Sequence, residues 1–340
     1  MTPVSVSISP HAGIVPLNAK SFAVITTILS NVKGPAKGTV KLDLPPGWQS
    51  RPSSAEFSTA QDGEERSLTF DVIPTNLKEE SYTLTALVEY NGHVYKEGYQ
   101  VTGYSGLRPY FLYKPSTYRS SGVDVKVAEG LKVAYVMGSG DDAPAALGNL
   151  DVKVSFLSTA DLATGDLSKF DVIVLGVRTY AARQDLTTYN ERLLDYVKNG
   201  GVVIVQYNTP EYDHNYGPYP YKMTGDPEEV TDEASKVEIL DPANPVFTWP
   251  NKITEKDFEG WVEERGSKFM QSWDPRYEAL LETHDAGQDP QKGGLLYARY
   301  GKGVYIYNAY ALYRQLPEGV PGAYRILANL VSLPKHPQSN

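Results

Sequence analysis

The chain has 340 residues, of which 41% are hydrophobic and 21% charged, a balance typical of a globular protein with room for two domains. The formal net charge of -9 argues against nucleic acid and anionic membranes as partners. The absence of cysteine excludes disulfides, thiolate metal ligands and cysteine nucleophiles. No apolar run approaches the length of a membrane span. No signal peptide is predicted either, because Met1 to Pro3 leads directly into strand-like alternation.

Residues 1–103 carry the pattern of an all-β domain. Val4, Val6 and Ile8 alternate with serines, which is the two-residue period of a half-exposed strand. Asn91-Gly92 lies between two strand patterns and predicts a tight hairpin. About seven short strands divided by turn residues predict an immunoglobulin-like β-sandwich. The other predicted strands are Ser21–Leu29, Gly38–Leu42, Ala55–Ser58, Ser67–Val72, Tyr82–Tyr90 and Tyr95–Val101.

Residues 104–130 are predicted to connect this domain to the next. Pro109 and Pro115 break regular structure, as does the serine-rich run around residues 116–122. Tyr110 and Tyr113 make the segment too aromatic for a free linker. We therefore expect it to pack along the second domain.

Residues 131–335 alternate between buried strands and helices. Val202–Val205 is a run of consecutive β-branched residues typical of a strand buried on both faces, and the helix pattern of Asp185–Asn199 precedes it. This alternation predicts a flavodoxin-like, doubly wound parallel sheet. The remaining predicted elements are the strands Val133–Met137, Val152–Leu157 and Asp171–Leu175, the helix Ala143–Leu150, the hairpin Gly293–Asn308 and the helix Pro321–Leu333.

Polar residues follow the predicted strands, at the edge where open α/β sheets bind ligands. Carboxylates, guanidinium groups and amides gathered there could bind a glycan or another polar small molecule. A structural alternative is that Asp141 caps the helix after it and that Arg178 pairs with a nearby carboxylate. The candidate ligand-binding residues are Asp141, Asp142, Arg178, Tyr180, Gln206, Asn208, Glu233, Glu264 and Arg265.

Two stretches of the first domain carry a family resemblance. Leu44-Pro45-Pro46-Gly47-Trp48, followed by Phe57 and Gly63-Glu64-Glu65, resembles the NPCBM-associated β-sandwich module of bacterial glycosidases. The resemblance implies a domain that either spaces its neighbours or binds sugar. Trp48 is the residue to consider for stacking on a sugar, the alternative being that it packs on its own turn.

The second domain resembles class I glutamine amidotransferases and the related ThuA-like proteins. Asp171–Gly176, the next helix and Gly200–Val205 carry the resemblance, as does Gly301–Tyr307. It places the nucleophile of the amidotransferases at or next to Asn208, whose amide cannot form a thioester. Asn244 also stands where the ThuA-like group has a histidine. We therefore expect no catalytic residue from this family.

Nearly the whole chain is similar to the C-terminal region of large bacterial LmbE-like (PIG-L family) deacetylases. The segments that carry this resemblance are Val123–Val127, Gly138–Asp142, Val205–Asn208, Asp257–Gly266 and Arg314–Arg325. The resemblance implies an accessory region that binds or positions glycan for an attached N-acetylglucosaminyl deacetylase domain, outside the cytoplasm. The zinc motif of that domain has no counterpart here, so we expect no metal and no cofactor.

Two other functions remain open from the sequence. The chain could be a free-standing hydrolase of carbohydrate-type substrates that uses His214 with Glu233 or Asp213. It could also be a structural scaffold whose aromatic loops mediate oligomer contacts.

Overall fold

The computed structural model describes residues 2–225 and 228–337. The chain divides into two compact units. The first is Met1–Asp124 with the short segment Pro317–Gly319, and the second is Val125–Leu316 with Val320–Asn340.

The described part of the first unit consists of strands. They are β1 (Val4–Ser9), β2 (Ala12–Pro16), β3 (Phe22–Ser30), β4 (Ala36–Asp43), β5 (Gln49–Arg51), β6 (Ser54–Thr59), β7 (Glu65–Ile73), β8 (Ser81–Tyr90), β9 (His93–Tyr95), β10 (Glu97–Thr102), β11 (Tyr110–Pro115) and β12 (Thr117–Val123).

Two sheets of the first unit enclose a common core. One sheet has the order β1-β3-β7-β5 and the other β2-β12-β8-β4-β6, with β9 paired to β8. Apolar residues at alternate positions of both sheets are fully buried, among them Val24, Ile28 and Phe70 from one sheet and Leu84 and Val88 from the other. The expected β-domain is therefore present, because the two-residue alternation of the sequence places one face of each strand in the core.

The hairpin predicted at Asn91-Gly92 is confirmed. Asn91 has φ 50° and Gly92 has φ 74°, and β8 pairs with β9 in the register Tyr90–His93. Consecutive positive φ values match the turn type that suits the twist of a two-residue hairpin, which is why Asn-Gly is favoured there.

The segment predicted as a connector forms strands of the first unit. Residues 110–115 are β11, which pairs with β10 in an antiparallel two-stranded ribbon. Residues 117–123 are β12, a central strand of the second sheet, paired in parallel with β2 and antiparallel with β8. The prediction was wrong because Tyr, Phe and Leu at 110–113 suit strands, and Pro115 needs only an edge position, which β11 provides.

The second unit alternates short strands with short helices. Its strands are β13 (Val133–Val136), β14 (Val154–Phe156), β15 (Val172–Leu175), β16 (Val202–Gln206), β17 (Tyr221–Lys222), β18 (Glu229–Val230), β19 (Val237–Ile239), β20 (Gly266–Ser267), β21 (Ser272–Trp273), β22 (Tyr277–Ala279), β23 (Leu281–Thr283), β24 (Leu295–Tyr300) and β25 (Gly303–Asn308). Its α-helices are α1 (Ala143–Asn149), α2 (Thr159–Thr164), α3 (Thr179–Ala182), α4 (Gln184–Thr188), α5 (Asn190–Lys198), α6 (Pro245–Thr248), α7 (Leu312–Gln315) and α8 (Pro321–Ser332). Its 3₁₀ helices are Leu167–Lys169, Pro210–His214, Glu255–Phe258 and Leu333–Lys335.

The main sheet of the second unit has the order β14-β13-β15-β16-β25-β24-β22. The pairs from β14 to β25 are parallel, whereas β24 and β22 join in antiparallel fashion. Every residue of β13, β15 and β16 is buried, as expected for strands covered on both faces. Their carboxyl ends lead into the segments around residues 138–142, 176–180 and 206–210, so polar residues of all three segments lie at one edge.

Helices of the second unit are shorter than predicted. The pattern over Asp185–Asn199 is divided into α4 and α5, which meet at Tyr189. None of the described helices is long and apolar enough to cross a membrane.

Candidate functional site

A chain of hydrogen bonds links side chains at the carboxyl ends of β13 and β16. The hydroxyl of Tyr135 donates to Oδ1 of Asp141 at 2.5 Å and accepts from Nε2 of Gln206 at 2.7 Å. The same Oδ1 accepts from the backbone N–H of Ala143 at 3.0 Å, and Oδ2 accepts from that of Val177 at 3.1 Å. Burial, and secondarily the charge of Asp141, raises the pKa of Tyr135 well above its usual range. Asp141 therefore links β13, the segment after β15 and the start of α1, the last of which the structural alternative proposed.

Asn208 occupies the position where the amidotransferase resemblance places a nucleophile. Its side chain is wholly buried. Oδ1 accepts from the backbone N–H of Tyr180 at 3.1 Å, and Nδ2 donates to the carbonyl of Gln206 at 2.9 Å. Both ends of the amide are thus engaged with backbone, so the side chain fixes the turn after β16.

Tyrosine side chains fill the space above these strand ends. Tyr212 is fully buried, its hydroxyl lies 2.7 Å from that of Tyr305, and its ring stacks on Tyr307 with centroids 5.5 Å apart. Tyr180 donates to Oδ1 of Asn190 at 2.7 Å and stacks on Tyr216 at 4.6 Å. Burial raises the pKa of Tyr180 and Tyr212. These rings occupy the region that the sequence predicted to be a ligand crevice.

Arg178 differs from its buried neighbours because its side chain is exposed. Its backbone has φ 55° and ψ 35°, a left-handed conformation that is uncommon for a non-glycine residue. The backbone N–H donates to the carbonyl of Tyr207 at 2.8 Å, which holds this turn against the end of β16. Its guanidinium forms no salt bridge with the residues that the structure describes, so the predicted pairing with a carboxylate is not present.

A group of partly exposed side chains lies beside Arg178. The rings of Tyr207 and Tyr313 are 5.4 Å apart. Oε1 of Glu264 accepts from the hydroxyl of Tyr313 at 2.9 Å and from Nε of Arg314 at 2.6 Å. Partial burial raises the pKa of Tyr207, although the positive charges of Arg178 and Arg314 act to lower it. We call these five residues, Arg178, Tyr207, Glu264, Tyr313 and Arg314, the tyrosine patch.

Three further candidates lie apart from this group or serve other purposes. Arg265 is buried, donates to the carbonyls of Ser235 and Phe258, and lies over the ring of Trp261, so its charge is used inside the fold. Burial lowers its pKa. Glu233 is exposed. Asp142 is exposed at the start of α1, where its side chain makes no capping bond.

The hydrolase arrangement built on His214 is not assembled. The carboxylate of Asp213 accepts from the backbone N–H of Met223 at 2.6 Å and from the hydroxyl of Thr224 at 2.9 Å, so it holds a loop. Neither Asp213 nor Glu233 makes a hydrogen bond to His214 among the described residues. Within residues 2–225 and 228–337, no three His, Asp or Glu side chains come together as metal ligands would.

Two cavities of the second unit lie away from the carboxyl ends of the strands. One, of about 440 Å³, is lined by Asp171, Gly200 and Gly201, which precede β15 and β16, and so lies at the opposite edge of the sheet. The other, of about 590 Å³, is lined by Lys153 and Phe156 beside the edge strand β14.

Sequence reasoning missed three members of the tyrosine patch. Tyr207 was not chosen as a candidate, whereas its neighbours Gln206 and Asn208 were. Strand alternation turns the side chain of Tyr207 to the opposite side from theirs. Tyr313 and Arg314 follow β25 along the chain, and nothing in their local pattern indicates that they meet Glu264. A signal was available for Tyr207 alone, because it directly follows a fully buried strand.

Trp48 packs in the interior of the first unit. It is 7% exposed, and its ring lies 4.8 Å from Tyr82 and 6.0 Å from Phe22. A ring buried in this way has no free face for a sugar, so the alternative that it packs within its own domain is the one observed.

No family model and no curated protein matches the chain. Among solved structures, the chain is similar to the apo-form Calx CBD1 domain, at 13% identity and a TM-score of 0.23, over 36% of this chain and 100% of that one. It is also similar to a β-galactosidase from Rahnella sp. R3, at 16% identity and a TM-score of 0.34. That match covers 60% of this chain and 31% of the galactosidase, so the chain spans about a third of that enzyme's length. Likenesses at these TM-scores carry no argument about function.

Proposed function

We propose that the chain is a non-catalytic accessory region that binds glycan for an LmbE-like deacetylase domain. In this proposal the first unit is an immunoglobulin-like sandwich and the second a flavodoxin-like, class I glutamine amidotransferase-like domain. The strand order supports the latter, because numbering the parallel strands of the second unit by chain order gives 2-1-3-4-5. The attached deacetylase domain rests on the sequence resemblance.

The observation that carries the non-catalytic part is the state of Asn208. A nucleophile needs an exposed reactive atom and a base within hydrogen-bond reach. Asn208 has neither, since its amide is buried and bonded at both ends to backbone. Gln206 is likewise buried and bonded to Tyr135, so the turn after β16 serves the fold.

The tyrosine patch supports the binding part of the proposal. Tyr207 and Tyr313 present partly exposed rings, which combine an apolar face with a polar hydroxyl and suit the faces and edges of a sugar ring. Arg178 brings an exposed guanidinium that forms no salt bridge among the described residues, and Glu264 brings acceptor oxygens. Hydrogen bonds from and to charged groups are stronger than those between neutral ones, so a few of them can orient a polar ligand.

Titration calorimetry with the β-1,4-linked tetramer of N-acetylglucosamine tests this proposal. We expect binding by the unaltered chain and an affinity roughly 5- to 150-fold weaker for Tyr313→Ala and Arg178→Ala, since an aromatic contact or a charged hydrogen bond contributes about 1–3 kcal/mol. Arg299→Ala is the matched control, because Arg299 is also exposed and lies 6.0 Å from a tyrosine ring, that of Tyr297, on β24. A titration without heat, or equal affinity in all variants, would contradict the proposal.

A further inference from the structure

Exposed apolar side chains of the first unit are concentrated in the ribbon formed by β10 and β11. Of the ten strongly exposed large apolar or aromatic side chains in the described chain, six lie between residues 101 and 113. They are Val101, Tyr104, Leu107, Tyr110, Leu112 and Tyr113. The register places Tyr110 and Leu112 on one face of the ribbon and Val101 and Tyr113 on the other, because successive residues of a strand point to opposite faces. Exposed apolar side chains concentrated in one segment mark an interaction site.

The base of the ribbon is anchored on the first unit. The hydroxyl of Tyr99 donates to Oδ1 of Asn31 at 2.6 Å. Gly98 lies so close to β1 that a Cβ atom there would stand 2.8 Å from the carbonyl oxygen of Val6. Because the base is fixed, the outer part of the ribbon presents its apolar side chains in a defined position.

The outer edge of β11 is available for pairing. Within the described residues β11 pairs with β10 alone, so its other edge carries unpaired backbone groups. An apolar edge strand of this kind is a template for pairing with another strand. Proteins commonly protect such edges with charges and proline, and in β11 these are confined to Lys114 and Pro115 at its end, so Tyr110–Tyr113 carries neither.

We propose that β11 pairs with β11 of a second copy of this chain, forming a continuous four-stranded sheet about a two-fold axis. Two copies of one strand can pair in antiparallel orientation about a two-fold axis, because the same edge of the strand is then the pairing surface in both copies. Tyr110, Phe111, Leu112 and Tyr113 favour extended backbone, so the edge is suited to a strand partner.

The exposed area agrees with a second copy as the occupant. Tyr104, Tyr110 and Tyr113 are 84%, 71% and 48% exposed. At about 200 Å² for each ring these three side chains offer about 400 Å². Leu107, Leu112 and Val101 add to this area, and a stable dimer buries about 800 Å² on each partner. The ribbon thus offers up to this area to a second copy, counted over both of its faces and the turn between its strands.

Light scattering across micromolar to millimolar concentrations gives the first test. We expect the chain, of 37.5 kDa, to reach twice that mass. Leu112→Glu should raise the dimer dissociation constant at least tenfold, because it places like charges near the symmetry axis. Ile25→Glu is the control, since Ile25 is 43% exposed, as Leu112 is, but lies on β3. A monomer at every concentration, or a dimer that both variants leave intact, would overturn the proposal.

The absence of cysteine allows a second test that does not depend on a destabilising charge. Leu112→Cys introduces the only thiol, near the middle of β11, where the two copies would bring it close to its equivalent. Thr102→Cys is the control, because Thr102 lies on β10, one strand further from the proposed axis. We expect oxidation to link Leu112→Cys into dimers at least tenfold faster than Thr102→Cys. Equal rates would overturn the proposed strand pairing.

Discussion

Replacing Tyr135 with Phe removes a single hydroxyl from the hydrogen-bond chain at the strand ends. The ring of Tyr135 is fully buried, so the remaining atoms keep their packing. The lost hydroxyl donates to Asp141 and accepts from Gln206. Because Oε1 of Gln206 already has no hydrogen-bond partner among the described residues, the variant leaves its entire amide head unpaired.

The cost follows from these contacts. A buried polar group without a partner costs about 1–3 kcal/mol, and a hydrogen bond to a charged group contributes about 1.5–3 kcal/mol. Asp141 is only partly buried and keeps its bonds from Ala143 and Val177, so part of the second cost is recovered by solvent. We therefore expect Tyr135→Phe to lower the free energy of unfolding of the second unit by about 2–4 kcal/mol.

Urea unfolding followed by tryptophan fluorescence measures this change. In a Trp48→Phe background the remaining tryptophans, at 249, 261 and 273, all belong to the second unit, so the signal reports that unit alone. Tyr196→Phe is the control, because it removes one hydroxyl bond of 3.2 Å to the carbonyl of Phe170, and should cost about 0.5–1.5 kcal/mol. Equal losses of unfolding free energy in the two variants would refute the hydrogen-bond chain from Asp141 through Tyr135 to Gln206.

Three further predictions concern residues outside that network. Trp48→Ala should destabilise the first unit by about 3–5 kcal/mol in urea unfolding and leave saccharide affinity unchanged, since the ring is core; weaker saccharide binding would contradict this. Arg265→Met should lower the free energy of unfolding of the second unit by about 2–4 kcal/mol, because it leaves the carbonyls of Ser235 and Phe258 unpaired, and it should not change saccharide affinity in calorimetry. A variant that is as stable as the unaltered chain but no longer binds saccharide would show that Arg265 contacts the ligand. Two hydrogen bonds from Arg183 hold the pKa of Asp185 at about 2, below its ordinary value near ~3.9. The resulting stability is present above pH ~4 and is lost as the pH falls towards ~2. Asp185→Asn should therefore make the urea midpoint of unfolding depend less on pH between those values. An unchanged pH dependence would count against a stabilising Arg183–Asp185 pair.

The buried strands of both units were predictable because one physical pattern specifies each of them. Val202–Val205 is β-branched throughout, which fits only a strand covered on both faces, and Asn91-Gly92 fits few turns other than a two-residue hairpin. The parallel order of the sheet could be expected from the strand–helix alternation. By contrast, β12 was missed because Ser120, Ser121 and Gly122 resemble a loop, whereas pairing on both sides makes that segment a strand.

The candidate site was predicted only in its location. Polar residues after β13, β15 and β16 do meet at one edge, as the topology requires. Whether each is free or used by the fold depends on contacts far apart in sequence, such as the bond from Gln206 to Tyr135, across 71 residues. The tyrosine patch depends on the same kind of contact, because Glu264 is 49 residues from Tyr313 and 50 from Arg314 along the chain.

A crystal structure grown with the β-1,4-linked tetramer of N-acetylglucosamine is the most direct test of binding without catalysis. We predict an intact saccharide against the rings of Tyr207 and Tyr313, within reach of Arg178, with the side chain of Asn208 still buried. A saccharide that is cleaved or covalently attached to the chain, or one bound at Asn208 after the tyrosines have opened, would contradict the proposed function.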